Sequence, residues 1–189
     1  MKKKLALNVL VFAAISLQAQ TLSWDIKFLR GRERESIPIS QIIRMQTGEE
    51  FSINIIPASD CFLYVVCYDS SRQLIVFYYG QALGGSQIHL GPYRLVDPPG
   101  TETLYVIISL SKEEQLETLI QNHINNPDSR QHADSLRREV ARLQNVSSEL
   151  GEPASIFIPS GGTTRGFSQE YVTRFTGNNM YVRTIAIRH

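Results

Sequence analysis

Alternation of apolar and polar residues is the main pattern along most of the chain. Near its start, Trp24, Ile26 and Phe28 alternate with Asp25 and Lys27, which is typical of a strand with one buried face. Similar runs recur at a spacing of roughly 8–12 residues, between turn residues. We expect strands over the following segments: 23–29, 51–56, 61–68, 73–79, 88–90, 93–96, 103–110, 154–159, 171–175 and 181–188.

Two of these segments, 61–68 and 73–79, are apolar on both faces and are joined by the polar residues 69–72. Strands that are apolar on both sides are typical of a sheet that is covered on both faces. We therefore predict a hairpin whose two strands both lie at the centre of a sheet.

After residue 110 the apolar spacing becomes helical. Ser111-Lys-Glu-Glu114 predicts a capping box, in which the Ser111 hydroxyl accepts a hydrogen bond from the amide of Glu114. Asn125-Asn-Pro127 ends this first helix.

Asp128-Ser-Arg-Gln131 can cap a second helix, which Gly151 and Pro153 end. An acidic residue four positions before a basic one, Asp134 and Arg138, adds an ion pair. The narrow apolar stripe of this helix comprises Ala133, Leu136, Val140 and Leu143. We expect the stripe to pack on the parent domain, with a partner helix as the alternative.

Together these patterns predict a mainly β protein, an antiparallel sandwich-like domain with a two-helix insertion over about residues 111–150. The chain has no Gly-X-Gly-X-X-Gly motif and no regular alternation of strands and helices. A doubly wound nucleotide-binding fold is therefore disfavoured.

The amino terminus has the pattern of an export signal. Lys2, Lys3 and Lys4 precede a mostly apolar stretch over residues 5–17. A length of about 13 residues suits a signal peptide, whereas a membrane span needs about 20. We predict a signal peptide over residues 1–19, cleaved after Ala19, and a single extracytoplasmic domain over residues 20–189 without a membrane span. An uncleaved anchor is the alternative.

Charge disfavours nucleic acid as a partner. Without the three lysines of the predicted leader, 16 basic residues stand against 18 acidic ones, a net charge of −2. A chain that binds phosphate backbones usually carries a basic patch. The arginines at 30, 32 and 34 are the only basic cluster, and Glu33 and Glu35 alternate with them.

The two cysteines, Cys61 and Cys67, lie in one predicted strand. At ~3.3 Å per residue their Cα atoms are roughly 20 Å apart, whereas a disulfide tolerates ~7 Å. We expect no disulfide between them, and interpret both as buried reduced thiols on one face of the sheet.

Candidate catalytic chemistry is sparse. The chain has four histidines: His89, His123, His132 and His189. None of them has metal-ligand spacing, and we expect His123 and His132 to be exposed on helices. A thiol paired with His89 is the candidate nucleophile, but strand cysteines lack the electropositive, exposed setting that a nucleophile needs. We predict no catalytic residue, no metal site and no cofactor.

Two glycine-containing loops remain. The loop at residues 160–166 lacks the Gly-Lys-Ser/Thr ending of a phosphate-binding loop, so we interpret it as a flexible connection. The aromatic pair Tyr78 and Tyr79 precedes a loop over residues 80–86 that contains Gly84 and Gly85. Exposed tyrosines beside a glycine loop are a candidate surface for a glycan or a peptide, but we favour core packing as the role of these rings.

Residues 51–109 resemble a bacterial β-domain family of unknown function, DUF4384. The similar elements are Asp60-Cys-Phe-Leu-Tyr-Val65, Tyr68-Asp69, Leu90-Gly-Pro-Tyr93, Pro98-Pro-Gly-Thr-Glu102 and Tyr105-Val-Ile-Ile-Ser109. The chain departs from the family at Ser70–Gln73, where a glycine is usual, and at Phe77–Gly80, where a Pro-Asn step is frequent. The resemblance implies an accessory module without assigned catalysis, and no site residue is carried over.

Three functional hypotheses follow. The first is an exported, non-catalytic binding or assembly module of the bacterial cell envelope, with another envelope protein, a glycan or a peptide as its partner. The second is a structural subunit that associates through the helix at 129–150 or through a sheet edge. The third is a secreted hydrolase with its site in the loops at 80–86 and 160–166.

Overall fold

A computed structural model describes residues 21–39, 42–147, 154–160 and 168–189. The described residues form two sheets that face each other, with a pair of helices inserted before the last three strands. The predicted mainly β, sandwich-like fold with a two-helix insertion is confirmed. The predicted leader at 1–19 and residues 161–166 of the second loop lie outside the described residues. The second helix ends at Val146, earlier than the predicted stop at Gly151 and Pro153, because Ser147 is already extended.

The described strands are β1 (Thr21–Arg30), β2 (Glu35–Ile37), β3 (Ile42–Arg44), β4 (Glu50–Pro57), β5 (Cys61–Tyr68), β6 (Leu74–Ala82), β7 (Ile88–Arg94), β8 (Thr101–Ser109), β9 (Ala154–Ser160), β10 (Ser168–Asn178) and β11 (Met180–Arg188). One sheet has six of these strands in the order β7-β4-β1-β10-β9, with β2 paired to the second half of β1. The other has five strands in the order β3-β11-β8-β5-β6. Neighbouring strands run antiparallel except β3 and β11, which are parallel.

The core between the sheets follows the predicted alternation. Trp24, Ile26 and Phe28 of β1 are almost completely buried, and they pack with the odd-numbered residues of β5 from the facing sheet. Trp24 stacks on Phe175 of β10 with ring centroids 5.9 Å apart. Large aromatic side chains thus fill the space between the sheets.

The predicted central hairpin is only half right. β5 lies between β8 and β6, but among the described strands β6 is the last of its sheet and pairs with β5 alone. The prediction of a central position for β6 is wrong because its apolar residues are covered by other neighbours. Phe77 stacks on Tyr93 of the facing edge strand β7, with ring centroids 3.8 Å apart, and Leu74 packs with the helices.

Two other strand assignments need correction. Residues 88–94 form one strand that continues through Gly91 and Pro92, where two short strands were expected. Gly91 has φ +105°, and a Cβ there would lie 2.9 Å from the carbonyl oxygen of Phe51, so the continuous strand depends on glycine. β10 is longer than predicted and begins at Ser168.

The helices α1 (Glu114–Asn125) and α2 (Arg130–Val146) cover the outer face of the five-stranded sheet. The expected packing of α2 on the parent domain is confirmed, since Leu136, Val140 and Leu143 are buried there. They form a second apolar cluster with Tyr64, Val66, Leu74, Ile107, Leu116, Ile120 and Val182. The apolar stripe of α2 is therefore already occupied within the chain.

The start of α1 differs from the expected capping box. Glu113 is the N-cap residue, and neither its own side chain nor that of Ser111 caps the helix. Instead the buried hydroxyl of Tyr64 accepts a hydrogen bond from the Glu113 amide at 3.0 Å and donates one to Glu117 at 3.2 Å. A side chain of the sheet thus caps the helix, which local spacing does not reveal.

The start of α2 lies within the segment 128–131 that was predicted to cap it. Ser129 is the N-cap residue, and its hydroxyl accepts a hydrogen bond from the His132 amide at 3.4 Å. The expected ion pair between Asp134 and Arg138 is not formed, because the Arg138 guanidinium donates to Ser135 at 3.1 Å. Neither described helix is long and apolar enough to cross a membrane.

Candidate functional site

A groove of about 890 Å³ separates the β5–β6 hairpin from the α1–α2 junction. Its volume lies within the range of roughly 300–1,000 Å³ that is usual for ligand sites. The lining residues come from the hairpin and from the junction: Tyr68, Ser71–Val76, His123, Ile124, Pro127–Arg130, Ala133, Asp134 and Arg137. The groove therefore lies between the edge of the five-stranded sheet and the helical layer.

A tight turn positions the hairpin side of the groove. The amide of Arg72 donates to the Asp69 carbonyl at 2.9 Å, and the amide of Gln73 donates to the Asp69 carboxylate at 2.6 Å. Arg72 has φ +64°, in the left-handed region that few non-glycine residues adopt. The turn thus places the Arg72 side chain at the mouth of the groove.

His123 forms part of the helical wall. We expected an exposed histidine, but only 5% of its surface is accessible, because α1 turns this residue toward β6. Its Nε2 lies 2.7 Å from the carbonyl oxygen of Leu74. A carbonyl only accepts, so Nε2 carries the hydrogen, and the buried Nδ1 has no partner among the described residues.

The groove carries charges of both signs. Arg137 lies over the ring of Tyr68, 5.5 Å from its centroid, and donates to its hydroxyl at 3.0 Å. Four more charged residues line the groove without a polar side-chain partner in the part of the chain that the structure describes: Arg72, Arg130, Asp128 and Asp134. The groove also contains the exposed apolar side chains of Ile75 and Ile124, so a ligand there can make both polar and apolar contacts.

Tyr78 and Tyr79 do not form one platform. A β-bulge leaves Phe77 without a partner on β5, so that Phe77 and Tyr78 both pack against the core between the sheets. Tyr79 lies on the helix side of β6, where its hydroxyl accepts a hydrogen bond from Gln121 of α1. The expected exposure of a ring applies to Tyr79, of which 36% is accessible.

The glycines near these tyrosines have a packing role. Residues 80–82 belong to β6, so the loop begins at Leu83. The Gly84 amide donates to the Asp60 carboxylate at 2.8 Å, and the Gly85 amide donates to the Pro57 carbonyl at 2.7 Å. A Cβ at Gly84 would lie 2.8 Å from the Cα of Ser59. The loop is thus fastened to the β4–β5 turn, and its glycines permit the close approach.

Both cysteines are free thiols on the interior face of β5. Burial raises the pKa of Cys61 to about 11, and the neighbouring Asp60 adds to the effect. Burial also raises the pKa of Cys67, with a further contribution from Glu102. Because the thiolate is the nucleophilic form, both side chains are held in their unreactive state at neutral pH.

The proposed pairing of a thiol with His89 is not formed. His89 lies 2.7 Å from Asn54 on the outer face of the six-stranded sheet. Cys67 is linked to a different histidine, His189, through Glu102. The Glu102 carboxylate lies 3.8 Å from the Cys67 thiol and 3.1 Å from Nε2 of His189, whose side chain is fully buried. Sequence reasoning missed this cluster because Cys67 and Glu102 belong to different strands and His189 follows the last strand.

The Cys67, Glu102 and His189 cluster has a structural explanation. The Glu102 carboxylate accepts a hydrogen bond from the Ser70 amide at 3.2 Å, and the His189 ring lies 3.0 Å from the Thr47 hydroxyl. These bonds tie together the turns at one end of the sandwich. No group of three or more metal-ligating side chains was found among the described residues.

Comparisons with protein families, with curated proteins and with solved structures find no match to this chain.

Proposed function

We propose that this chain is an exported, non-catalytic binding or assembly module of the bacterial cell envelope, and that it binds its partner in the groove between the β5–β6 hairpin and the α1–α2 junction. The observation that carries the proposal is the lining of that groove. Four charged side chains that have no polar partner among the described residues line the groove together with the exposed Ile75 and Ile124. Burying unpaired charges is costly, so such a surface favours a partner that supplies opposite charges.

The location and the non-catalytic character rest on separate observations. Three lysines followed by an apolar stretch support export, and the DUF4384 resemblance supports an accessory role in a bacterium. The raised pKa values of Cys61 and Cys67 disfavour thiol catalysis. Tyr78 and Tyr79 lie on opposite sides of β6, which disfavours a platform for stacking a glycan there.

Affinity capture tests the proposal. The full chain, with its own leader and an affinity tag, is expressed in a bacterium, cross-linked in the envelope and captured, and its partners are identified by mass spectrometry. We expect the captured chain to lack residues 1–19 and to carry one stoichiometric envelope partner. A chain that keeps its leader in the cytoplasm, or that has no such partner, would contradict the proposal.

Charge-reversal variants assign the partner to the groove. We expect Arg72→Glu combined with Arg130→Glu to lower recovery of the partner at least fivefold. Arg44→Glu is the matched control, because Arg44 is an exposed arginine of β3 at the opposite side of the same sheet. Equal recovery with the double variant and with the control would show that the groove is not the binding surface.

A further inference from the structure

We propose that β6 accepts an extended segment of a partner polypeptide as an additional strand of the five-stranded sheet. This inference rests on the groove being the binding surface proposed above, and it names the class of partner. Addition of a strand to an exposed sheet edge is a general mode of peptide recognition, in which main-chain hydrogen bonds provide affinity and side-chain contacts provide specificity.

The groove meets the edge of β6 at Leu74–Val76, the first three of its nine residues. Leu74, Ile75 and Val76 all line it, although consecutive side chains of a strand point to opposite faces. Three consecutive residues can line one groove only where the groove meets the strand from its edge. The main chain at the start of β6 is therefore accessible to a ligand in the groove.

Among the described residues, side chains bond the outward main-chain groups of this edge only near its two ends. The carbonyl of Leu74 accepts a hydrogen bond from His123, and the carbonyl of Gln81 accepts one from the Tyr78 hydroxyl. Both carbonyls therefore point away from β5, and the alternation of an antiparallel ladder places the amide and carbonyl groups of Val76 and Tyr79 on the same outer side. These two residues offer main-chain bonding positions to an incoming strand.

The other described sheet edges carry features that oppose strand addition. β3 has only three residues, β7 contains Pro92, β9 contains Pro159, and the free part of β11 carries Arg183. Short length, proline and charge are the usual means of protecting an edge. β6 has nine residues, no proline and no charged side chain, so it has the composition of an edge that pairs.

The helical wall favours a single segment over a second copy of this chain. His123 of α1 reaches the outward carbonyl of Leu74, so the wall extends as far as the edge of the sheet. Antiparallel pairing of two β6 strands would be related by a twofold axis perpendicular to the sheet. The helical layers of both copies would then lie on the same face of the combined sheet and approach each other across the two β6 strands. An isolated extended segment brings no such layer to the edge.

The charges specify the segment further. Arg72, Arg130 and Arg137 outnumber Asp128 and Asp134 in the lining of the groove. Arg72 lies in the turn that precedes the Leu74 end of β6. We therefore expect a segment with an acidic side chain at that end and an apolar side chain that contacts Ile75 or Ile124.

A library of random twelve-residue peptides, displayed on phage and selected on the full chain, provides the probe. Synthetic peptides from the selection are titrated into the isotope-labelled chain. We expect hydrogen exchange of the Val76 and Tyr79 amides to slow at least tenfold on binding. We also expect methylation of every second peptide nitrogen to abolish binding, because it removes the hydrogen-bond donors of the added strand.

Variants test the position of the added strand. Ile75→Lys introduces a charge at the β6 edge, and we expect it to weaken peptide binding at least tenfold. Ile42→Lys is the matched control, because Ile42 of β3 has the same 42% exposure at the opposite side of the sheet, and we expect a change below twofold. Thermal unfolding of both variants verifies that they fold.

Three results would overturn the inference: no peptide is selected, the peptides bind without protecting Val76 and Tyr79, or Ile75→Lys and Ile42→Lys bind equally. A dimer in sedimentation that Ile75→Lys dissociates would also overturn it, in favour of self-association. If an envelope partner is nevertheless lost with Arg72→Glu and Arg130→Glu, the proposed function stands and only strand addition fails.

Discussion

Replacing Tyr64 by phenylalanine tests whether the sheet caps the first helix. The Tyr64 hydroxyl is buried beneath the start of α1, where it accepts from the Glu113 amide and donates to Glu117. Tyr64→Phe keeps the ring and removes both hydrogen bonds. Glu117 retains an ion pair with Lys112 at 3.1 Å, so the main cost is the unsatisfied amide of Glu113.

An unsatisfied buried donor costs about 1–3 kcal/mol, and the lost bond to a charged acceptor adds to that cost. We therefore expect Tyr64→Phe to lower the free energy of unfolding by about 2–3 kcal/mol. For a domain of this size the midpoint of thermal unfolding falls by roughly 2–4 °C per kcal/mol, so we expect a decrease of about 4–12 °C.

Urea denaturation at neutral pH measures the change, and hydrogen exchange of the α1 amides locates it. Tyr68→Phe is the matched control, because Tyr68 lies on the same face of β5 and its hydroxyl bonds the exposed Arg137. We expect the control to lose less than about 1 kcal/mol. Equal losses for the two variants, or faster exchange spread evenly over the protein, would refute the assignment of Tyr64 as a cap.

Three further predictions concern the thiols, the glycine loop and the helical layer. Because Cys61 and Cys67 are buried with raised pKa values, we expect the folded protein to resist alkylation at pH 8 and the unfolded protein to react at both sites. A thiol pKa that is raised in the folded state contributes stability that is complete below the unfolded value of ~8.5 and is lost as the pH rises above it. The urea midpoint should therefore fall from about pH 8.5 to 11, and it should fall less steeply in Cys67→Ala. Parallel pH profiles of the urea midpoint for Cys67→Ala and the unmodified protein would contradict this. Gly84→Ala should cost about 1–3 kcal/mol in urea denaturation, because its methyl group meets the main chain of the β4–β5 turn, and an unchanged midpoint would show that the loop adjusts freely. Leu136→Ala should cost about 2–5 kcal/mol through the cavity that it leaves, whereas Val146→Ala, at a position with 60% exposure, should cost less than about 0.5 kcal/mol; similar losses would refute the burial of α2 on the sheet.

Patterns within one segment predicted much of the fold. The alternation of β1 and the stripe of α2 depend on which face of a single element is apolar, and neighbouring residues determine that face. The cap at Ser129 is equally local, since its hydroxyl bonds an amide three residues away. These features therefore follow from spacing alone.

Features that depend on distant parts of the chain were not predictable in this way. The apolar composition of β6 resembles that of a central strand, although β6 is an edge strand that the aromatic residues of β7 and the helices cover. His123 looks like an exposed helix residue until β6 supplies the carbonyl of Leu74. The groove was missed for the same reason, because the last hairpin residue that lines it, Val76, and the first helical one, His123, are far apart along the chain.

The two apolar clusters on opposite faces of the five-stranded sheet bear on cooperativity. Opening of the helical layer exposes only the cluster around Leu116, Ile120 and Leu136, while the core between the sheets remains packed. Such a layer forms a natural unit of partial unfolding, with a lower opening free energy than the sandwich. Since the groove lies across the boundary between the layer and β6, a ligand bound there holds the two units together. A partner that is present at a hundred times its dissociation constant would raise the free energy of that opening by about 2.7 kcal/mol, so occupancy of the groove would protect the helices from exchange and proteolysis.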